Sequence, residues 1–94
     1  MLIQHKKLGN KGLFFVEQEG DILAEMTYMQ HSEHIIIIEH TEVDEVLRGK
    51  NIGFQLVNTA VEYARQHQLK IVPMCPFVKS VFDKKPDYKD VIAD

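Results

Sequence analysis

The first half of the chain carries short apolar runs that are typical of β-strands. Residues 13–16 form one run, residues 22–28 partly alternate between apolar and polar positions, and residues 35–38 are four consecutive isoleucines. Polar turns lie between these runs at residues 19–21 and 31–34. The alternation in residues 22–28 predicts a strand with one wetter face, whereas the unbroken isoleucine run predicts a strand that is covered on both faces.

The second half begins with the clearest helical pattern in the chain. From residue 52 to residue 67, apolar side chains recur at the spacing of one helix face: Ile52, Leu56, Ala60, Val61 and Ala64. Residues 69–75 are predicted to form a strand, and Pro73 predicts that this strand lacks a neighbour on one side, because proline cannot donate to a ladder. Pro76 ends the strand, and a short helix is predicted over residues 77–84.

The order of these elements predicts an α+β fold. A first strand near residues 2–7 and a last short segment at residues 91–92 complete the set. The long helix carries the chain from the central strand, residues 35–38, back to residues 69–75, so these two strands should be parallel. We therefore expect residues 1–94 to form a single domain with a mixed, mostly antiparallel sheet, one parallel βαβ unit and helices packed on the sheet.

Composition and charge narrow the functional classes. The net charge is −3 and the basic residues are scattered, which argues against a nucleic-acid-binding face. The single cysteine, Cys75, cannot form an internal disulfide and is typical of a reducing compartment. The N-terminus lacks the apolar stretch of a signal peptide, and no run approaches the roughly 20 apolar residues that span a bilayer. We expect a cytoplasmic protein that binds neither nucleic acid nor membrane.

The connection between the central strand and the long helix carries the features of an anion site. A helix start exposes unpaired backbone N–H groups and the positive end of the helix dipole, and glycines let the backbone approach an anion closely. These features predict a diphosphate site, to which two side chains add positive charge, at Arg48, Gly49, Lys50, Asn51, Ile52 and Gly53. The dinucleotide-binding and Walker A patterns are absent, and the alternative is a plain strand-to-helix connection that needs glycines to turn.

The same six residues resemble the acyl-coenzyme A loop of the GNAT acetyltransferase superfamily. That loop has Gln or Arg, two variable residues, Gly, one variable residue, and then Gly or Ala. Arg48 and Gly53 match the first and last positions, and Asn51 stands where the middle glycine is usual. Asparagine tolerates the left-handed backbone region better than other non-glycine residues, so the loop geometry is compatible with this departure.

The resemblance covers nearly the full chain. Residues 39–43, 73–77 and 86–91 are similar to segments of the short, single-domain GNAT-like group. The resemblance implies a GNAT-like fold that is trimmed at its N-terminal end. It also implies that acetyl-coenzyme A is the cosubstrate, with its diphosphate on residues 49–54 and its pantetheine arm between splayed parallel strands.

Acetyl transfer to an amine requires a base, a donor to the developing oxyanion and a proton for the departing thiolate. By resemblance, the oxyanion donor is a main-chain amide in the stretch from Thr41 to Val43, with Val43 favoured. His40, at the end of the central strand, is a candidate base. Cys75, at the end of the next parallel strand, is a candidate acyl acceptor if His40 or the following helix start favours its thiolate. By resemblance, Tyr88 is a candidate proton donor to the thiolate.

Each of these side chains also has a structural interpretation. Cys75 is the kind of small residue that is usually buried, His40 is also explained as a hydrogen-bonded structural histidine, and Tyr88 as a packing residue near the C-terminus. Glu39 and Glu42 could bind a cationic amine, but a solvated strand end is the favoured explanation. The other histidines show no zinc-ligand spacing, so no metal site is expected.

These observations favour an acetyl-coenzyme A-dependent N-acetyltransferase that acts on an amine acceptor. The alternative is a non-catalytic acyl-coenzyme A-binding or regulatory module, because the trimmed N-terminal part carries walls of the acceptor site in the GNAT enzymes that the chain resembles. A partner protein that completes the acceptor site is a related expectation. A third interpretation is a small interaction domain that is unrelated to coenzyme A.

Overall fold

The computed structural model describes residues 2–93, in which the first half of the chain forms four strands of a five-stranded sheet and the second half supplies the fifth. The strands are β1 (Gln4–Leu8), β2 (Lys11–Gln18), β3 (Asp21–Ser32), β4 (Ile35–Val43) and β5 (Lys70–Pro73); the helices are α1 (Ile52–His67) and α2 (Pro76–Lys84). Short 3-10 helices span Glu45–Leu47 and Pro86–Val91. The strands lie side by side in chain order, and every neighbouring pair is antiparallel except β4 and β5. The predicted mixed α+β architecture is confirmed.

Helix α1 has the predicted bounds because its apolar positions match the helical period over its whole length. Its buried face consists of Ile52, Leu56, Val57, Ala60, Val61 and Ala64. The helix ends where Gln68 takes a left-handed conformation, with φ of 56°, and donates its N–H to the carbonyl of Ala64. The short helix was predicted within one residue of its observed start at Pro76, the favoured first position for proline.

The core lies on one face of the sheet. Ile36 and Ile38 are fully buried, whereas Ile35 and Ile37 project to the other face and stay partly exposed. The prediction that this strand is covered on both faces was therefore wrong. The physical reason is that both α1 and α2 contribute their buried side chains to the same cluster as Ile36 and Ile38.

The two parallel strands end at different places from those predicted. Strand β4 continues three residues beyond His40, because residues up to Val43 remain paired with β3. Strand β5 stops at Pro73, so Cys75 does not end a strand but instead caps the N-terminus of α2. Strand β5 is the edge of the sheet, as Pro73 predicted, and on its outer side only an isolated bridge joins Ile71 to Ile92.

A glycine in β2 makes room for the largest buried side chain. Gly12 pairs with Tyr28 of β3, and a Cβ atom built on Gly12 would lie 2.3 Å from Cζ of the Tyr28 ring. The ring, which is 1% exposed, lies over the glycine backbone, and its hydroxyl is 2.5 Å from Nε2 of His5. His5 in turn stacks on Phe14 with a centroid distance of 4.5 Å and meets the edge of Tyr63 of α1 at 4.6 Å. Through these contacts of His5, edge strand β1 packs against the core.

The position of His5 predicts a pH-dependent stability. Partial burial, with the nearby charges of Lys7 and His67, lowers the pKa of His5 below its ordinary value of about 6.5. The unfolded chain therefore binds a proton more readily than the folded chain, so the stabilisation present above about pH 6.5 is lost as the pH falls towards the folded-state pKa. We expect the melting temperature to fall between pH 7.5 and pH 5.5, and to fall less in His5→Gln.

Scanning calorimetry at the two pH values measures this difference. The matched control is His31→Gln, because His31 is exposed near the end of β3. The control should keep the wild-type pH dependence. An equal pH dependence in wild type and His5→Gln would show that His5 does not couple protonation to folding.

Candidate functional site

The loop before α1 turns through two left-handed residues. The 3-10 helix Glu45–Leu47 starts with a cap in which Asp44 Oδ1 accepts from the N–H of Val46 at 2.9 Å. Gly49 then has φ of 84° and Asn51 has φ of 61° and ψ of 30°. Asn51 thus adopts the left-handed conformation that was expected of it in place of the usual glycine.

The first turn of α1 leaves its backbone donors free. The first helical bond runs from the N–H of Gln55 to the carbonyl of Asn51 at 3.1 Å, and the Asn51 side chain does not cap the helix. Within the part of the chain that the structure describes, the N–H groups of the three preceding residues, 52–54, have no hydrogen-bond acceptor. Arg48 and Lys50 are exposed beside them, with the Arg48 guanidinium 3.7 Å from Glu45. This arrangement suits an anion.

These donors border a cleft of about 410 Å³. The cleft runs from the loop towards the end of β4 and the start of α2, and it is lined by Thr41, Val43, Leu47, Arg48, Gly49, Asn51, Ile52, Gly53, Phe54 and Phe77. Seven of the eight sequence-predicted cofactor-binding residues line the cleft, and Lys50 does not. Sequence analysis assigned no role to Leu47, Phe54 or Phe77. For Phe77, the available sequence signal was its position two residues after the candidate Cys75.

The cleft exists because β4 and β5 diverge. Their pairing ends at Ile38 and Pro73, after which the N–H groups of Met74 and Cys75 both donate to the carbonyl of Ile38, at 3.0 and 3.2 Å. Beyond this point β4 pairs only with β3. The cleft therefore lies beyond the carboxyl end of the parallel pair, where the resemblance implied that the two strands splay apart.

A bulge in β4 sets the direction of its free amides. Thr27 pairs with His40 and Tyr28 with Ile38, so Glu39 is an extra residue in β4. Further along, the N–H of Asp44 donates to the carbonyl of Leu23 at 2.7 Å. Because antiparallel pairs alternate between bonded and non-bonded positions, the amides of residues 41 and 43 point away from β3 towards the cleft.

Cys75 contacts Thr41, which is one of the residues that line the cleft. Cys75 is 6% exposed, and its Sγ lies 3.5 Å from Oγ1 of Thr41. Burial acts to raise the pKa of the Cys75 thiol, but hydrogen bonds from the Thr41 hydroxyl and from the backbone amides of Val78, Phe77 and Thr41 outweigh it, so the pKa is lowered. Thr41 and the start of α2, rather than a histidine, therefore favour the thiolate.

His40 lies on the opposite face of the sheet from Cys75. The register pairs His40 with Thr27 and pairs its neighbour Thr41 with buried Met26, so the side chains of His40 and Thr41 project to opposite faces. The His40 Nε2 atom is 3.2 Å from Oε1 of Glu42, and both side chains are mostly exposed. The structure therefore does not bring His40 and Cys75 together on one face.

Tyr88 lies in the 3-10 helix Pro86–Val91 and packs against α1. It is 5% exposed, and its hydroxyl donates to Oδ1 of Asn58 at 2.8 Å. Arg65 lies over the Tyr88 ring and joins Asp90 through two 3.0 Å contacts. Burial raises the pKa of the Tyr88 hydroxyl. This tyrosine does not line the cleft that contains Thr41 and Val43.

Two further observations concern the described residues 2–93. None of their helices combines the length and the apolar character that crossing a bilayer requires. No three of their His, Cys, Asp and Glu side chains are grouped closely enough to hold a metal ion.

A helix start with free donors and parallel strands that diverge are the two features that the sequence analysis expected around this loop. A sequence model of the family described as GCN5-related N-acetyl-transferase matches residues 13–91. A GCN5-like protein from Staphylococcus aureus, whose structure was solved by NMR, is 36% identical over 96% of this chain and 87% of its own, with a TM-score of 0.73. The chain therefore belongs to the GCN5-related N-acetyltransferase family.

Longer acetyltransferases share the fold at lower identity. A GNAT family acetyltransferase from Elizabethkingia anophelis with acetyl-coenzyme A bound is 18% identical, over 68% of this chain and 42% of its own, with a TM-score of 0.58. A ribosomal-protein-alanine N-acetyltransferase from Brucella melitensis is 18% identical, over 90% of this chain and 64% of its own, with a TM-score of 0.60. Both matches leave a third or more of the longer enzyme without a counterpart.

Proposed function

We propose that this protein binds acetyl-coenzyme A in the cleft between the end of β4 and the start of α2 and transfers the acetyl group to an amine. One observation carries the proposal: the free N–H groups at the start of α1 open onto the same cleft as the amide of Val43, which lies outside the ladder with β3. The diphosphate binds at the helix start, beside Arg48 and Lys50. The pantetheine arm then extends along the apolar lining towards Val43.

The amide of Val43 is positioned for the chemical step. As the amine attacks the thioester carbonyl, negative charge develops on the carbonyl oxygen, and a fixed N–H donor in the cleft stabilises it without reorganisation. His40, paired with Glu42, is available as a base for an amine that approaches from the opposite face of the sheet. The amine loses its proton to this base, and the coenzyme A thiolate leaves and takes up a proton from solvent.

Thermal unfolding with added ligand tests the binding step. A ligand that binds only the folded state raises the melting temperature by mass action. We expect acetyl-coenzyme A at about 100 times its Kd to raise the melting temperature by about 10 °C or more. Residue-resolved NMR should place the largest shifts at residues 41–54 and 75–78. No thermal shift, with no NMR change in these segments, would contradict the proposed cosubstrate.

A non-catalytic acyl-coenzyme A-binding module is the second candidate. The observation that favours it is the length of the chain, which spans less than two thirds of the longer acetyltransferases described above. Thiol release measured with mixed amines separates the two candidates. Acceptor-dependent release of coenzyme A supports the enzyme, whereas tight binding without release supports the module or an enzyme completed by a partner protein.

Cys75 supports a two-step route for the enzyme. Its thiolate, favoured by Thr41 and by the first turn of α2, attacks the thioester carbonyl of acetyl-coenzyme A. The bond to the coenzyme A sulfur breaks, and acetyl-Cys75 forms as the coenzyme A thiolate leaves and is protonated. The amine then attacks acetyl-Cys75, the amide is released, and the Cys75 thiol is restored.

Cys75→Ala distinguishes this route from direct transfer. We expect the substitution to lower kcat by about 10²-fold or more while changing the Kd of acetyl-coenzyme A by less than about threefold, because only a step on the thiol is lost. Intact-mass analysis of wild type without acceptor should show one acetyl group. The matched control is Thr41→Val, which removes the hydroxyl beside the thiol and should slow transfer without abolishing the adduct. Full activity of Cys75→Ala would reduce Cys75 to a packing residue.

A further inference from the structure

Phe77 packs directly on the backbone of Gly53. A Cβ atom built on Gly53 would lie 2.8 Å from Cζ and 3.0 Å from Cε2 of the Phe77 ring. The tip of the ring therefore occupies the space that a side chain at Gly53 would take. Through this contact, the first turn of α2 packs on the first turn of α1.

Space, rather than backbone conformation, is the reason for a glycine at this position. The glycines with positive φ are Gly9, Gly20 and Gly49, and Gly53 is not among them. The family loop that the chain resembles accepts alanine at the position of Gly53. In this chain an alanine there would have to displace the ring of Phe77.

The ring of Phe77 lines the same cleft as the loop. Phe77 lines the cleft together with the loop residues and Val43, and it remains 42% exposed. Two residues before it in the chain is Cys75, the N-cap residue of α2, whose Sγ lies 3.5 Å from Oγ1 of Thr41. The ring thus adds apolar area to the cleft that the loop and Val43 also line.

We propose that Phe77 is a cosubstrate-binding residue that forms the apolar wall against which the pantetheine arm packs, and that Gly53 acts as the positioning residue that seats it. The inference rests on the proposed binding of acetyl-coenzyme A in this cleft. Pantetheine is the part of the cosubstrate that links the diphosphate to the thioester. An exposed aromatic ring in the cleft suits the gem-dimethyl and methylene groups of this arm.

Two ligands separate the wall from the anion site. Acetyl-coenzyme A contains the pantetheine arm, whereas 3′-phosphoadenosine 5′-diphosphate retains the nucleotide and diphosphate without it. We expect Phe77→Ala to raise the Kd of acetyl-coenzyme A about tenfold, as for loss of one packed aromatic contact, and to change the Kd of the nucleotide less than about twofold. Phe77→Leu, which keeps apolar volume, should recover much of the affinity. The control is Leu8→Ala, an exposed apolar residue at the end of β1 and outside the cleft.

A double-mutant cycle tests the role of Gly53. Gly53→Ala should weaken acetyl-coenzyme A binding in the wild-type background, but it should add less than about twofold in the Phe77→Ala background, because the ring it displaces is gone. Equal losses in both backgrounds would mean that the methyl group blocks the diphosphate, and they would overturn the inference. Equal losses of both ligands in Phe77→Ala would also overturn it. Failure of wild type to bind acetyl-coenzyme A would instead overturn the proposed function.

Discussion

Val43→Pro is expected to lower kcat by about 10²–10³-fold, the factor typical for removal of one oxyanion donor. Proline lacks the amide hydrogen that points from the end of β4 into the cleft. The register leaves this amide outside the ladder with β3, so the substitution removes no sheet hydrogen bond. Val43 is also partly exposed, which limits the packing loss. Steady-state kinetics with saturating acetyl-coenzyme A measure the effect.

Val43→Ala is the matched control because it shortens the side chain and keeps the amide. It should retain kcat within about threefold of wild type. The Kd of acetyl-coenzyme A should change little in either variant, since the donor acts on charge that develops only during reaction. Equal kcat values for the proline and alanine variants would assign the oxyanion donor elsewhere, with Thr41 as the other amide that faces the cleft.

Gly12→Ala is expected to destabilise the fold, and to do so more than Gly53→Ala. The added carbon would lie 2.3 Å from Cζ and 2.5 Å from Oη of Tyr28, a ring that is fully buried and held by His5. Overpacking of this kind costs about 1–3 kcal/mol, in a domain class whose whole stability is about 5–15 kcal/mol. The melting temperature should fall by about 5–20 °C.

A double-mutant cycle identifies the cause. Tyr28→Leu removes the ring, so adding Gly12→Ala to it should cost less than the same substitution costs in wild type. Chemical denaturation measures the free energies of unfolding of the four proteins. If Gly12→Ala costs the same with and without the Tyr28 ring, the clash is not the source of the instability and strand propensity is the alternative.

Elements that depend on local periodicity could be predicted from the sequence. Helix α1 shows its 3.6-residue spacing in every turn, and it starts and ends where predicted. The left-handed turn at Asn51 was predictable because the GNAT loop that the chain resembles usually has glycine at that position, and asparagine tolerates the same conformation. Pro73 correctly indicated an edge strand, because its missing donor is a local property.

Features that depend on register or on distant contacts could not be predicted. One extra residue at Glu39 decides which face His40 and Thr41 take, and nothing in the sequence marks that bulge. The contact between Cys75 and Thr41 joins residues 34 positions apart. The packing of Phe77 on Gly53 likewise depends on how two helix starts meet in space. For Tyr88, packing was one of the two explanations that the sequence offered, but its hydrogen-bond partner on α1, Asn58, is 30 positions away and could not be predicted.

The asparagine in the left-handed turn before α1 has a thermodynamic consequence for ligand capture. Glycine would reach the same backbone conformation with less strain, but it would also sample many others before a ligand arrives. Asn51 accepts some strain at φ of 61° and in exchange has fewer alternative conformations. The loop should then lose less configurational entropy when the proposed ligand binds, because the turn already has the required conformation.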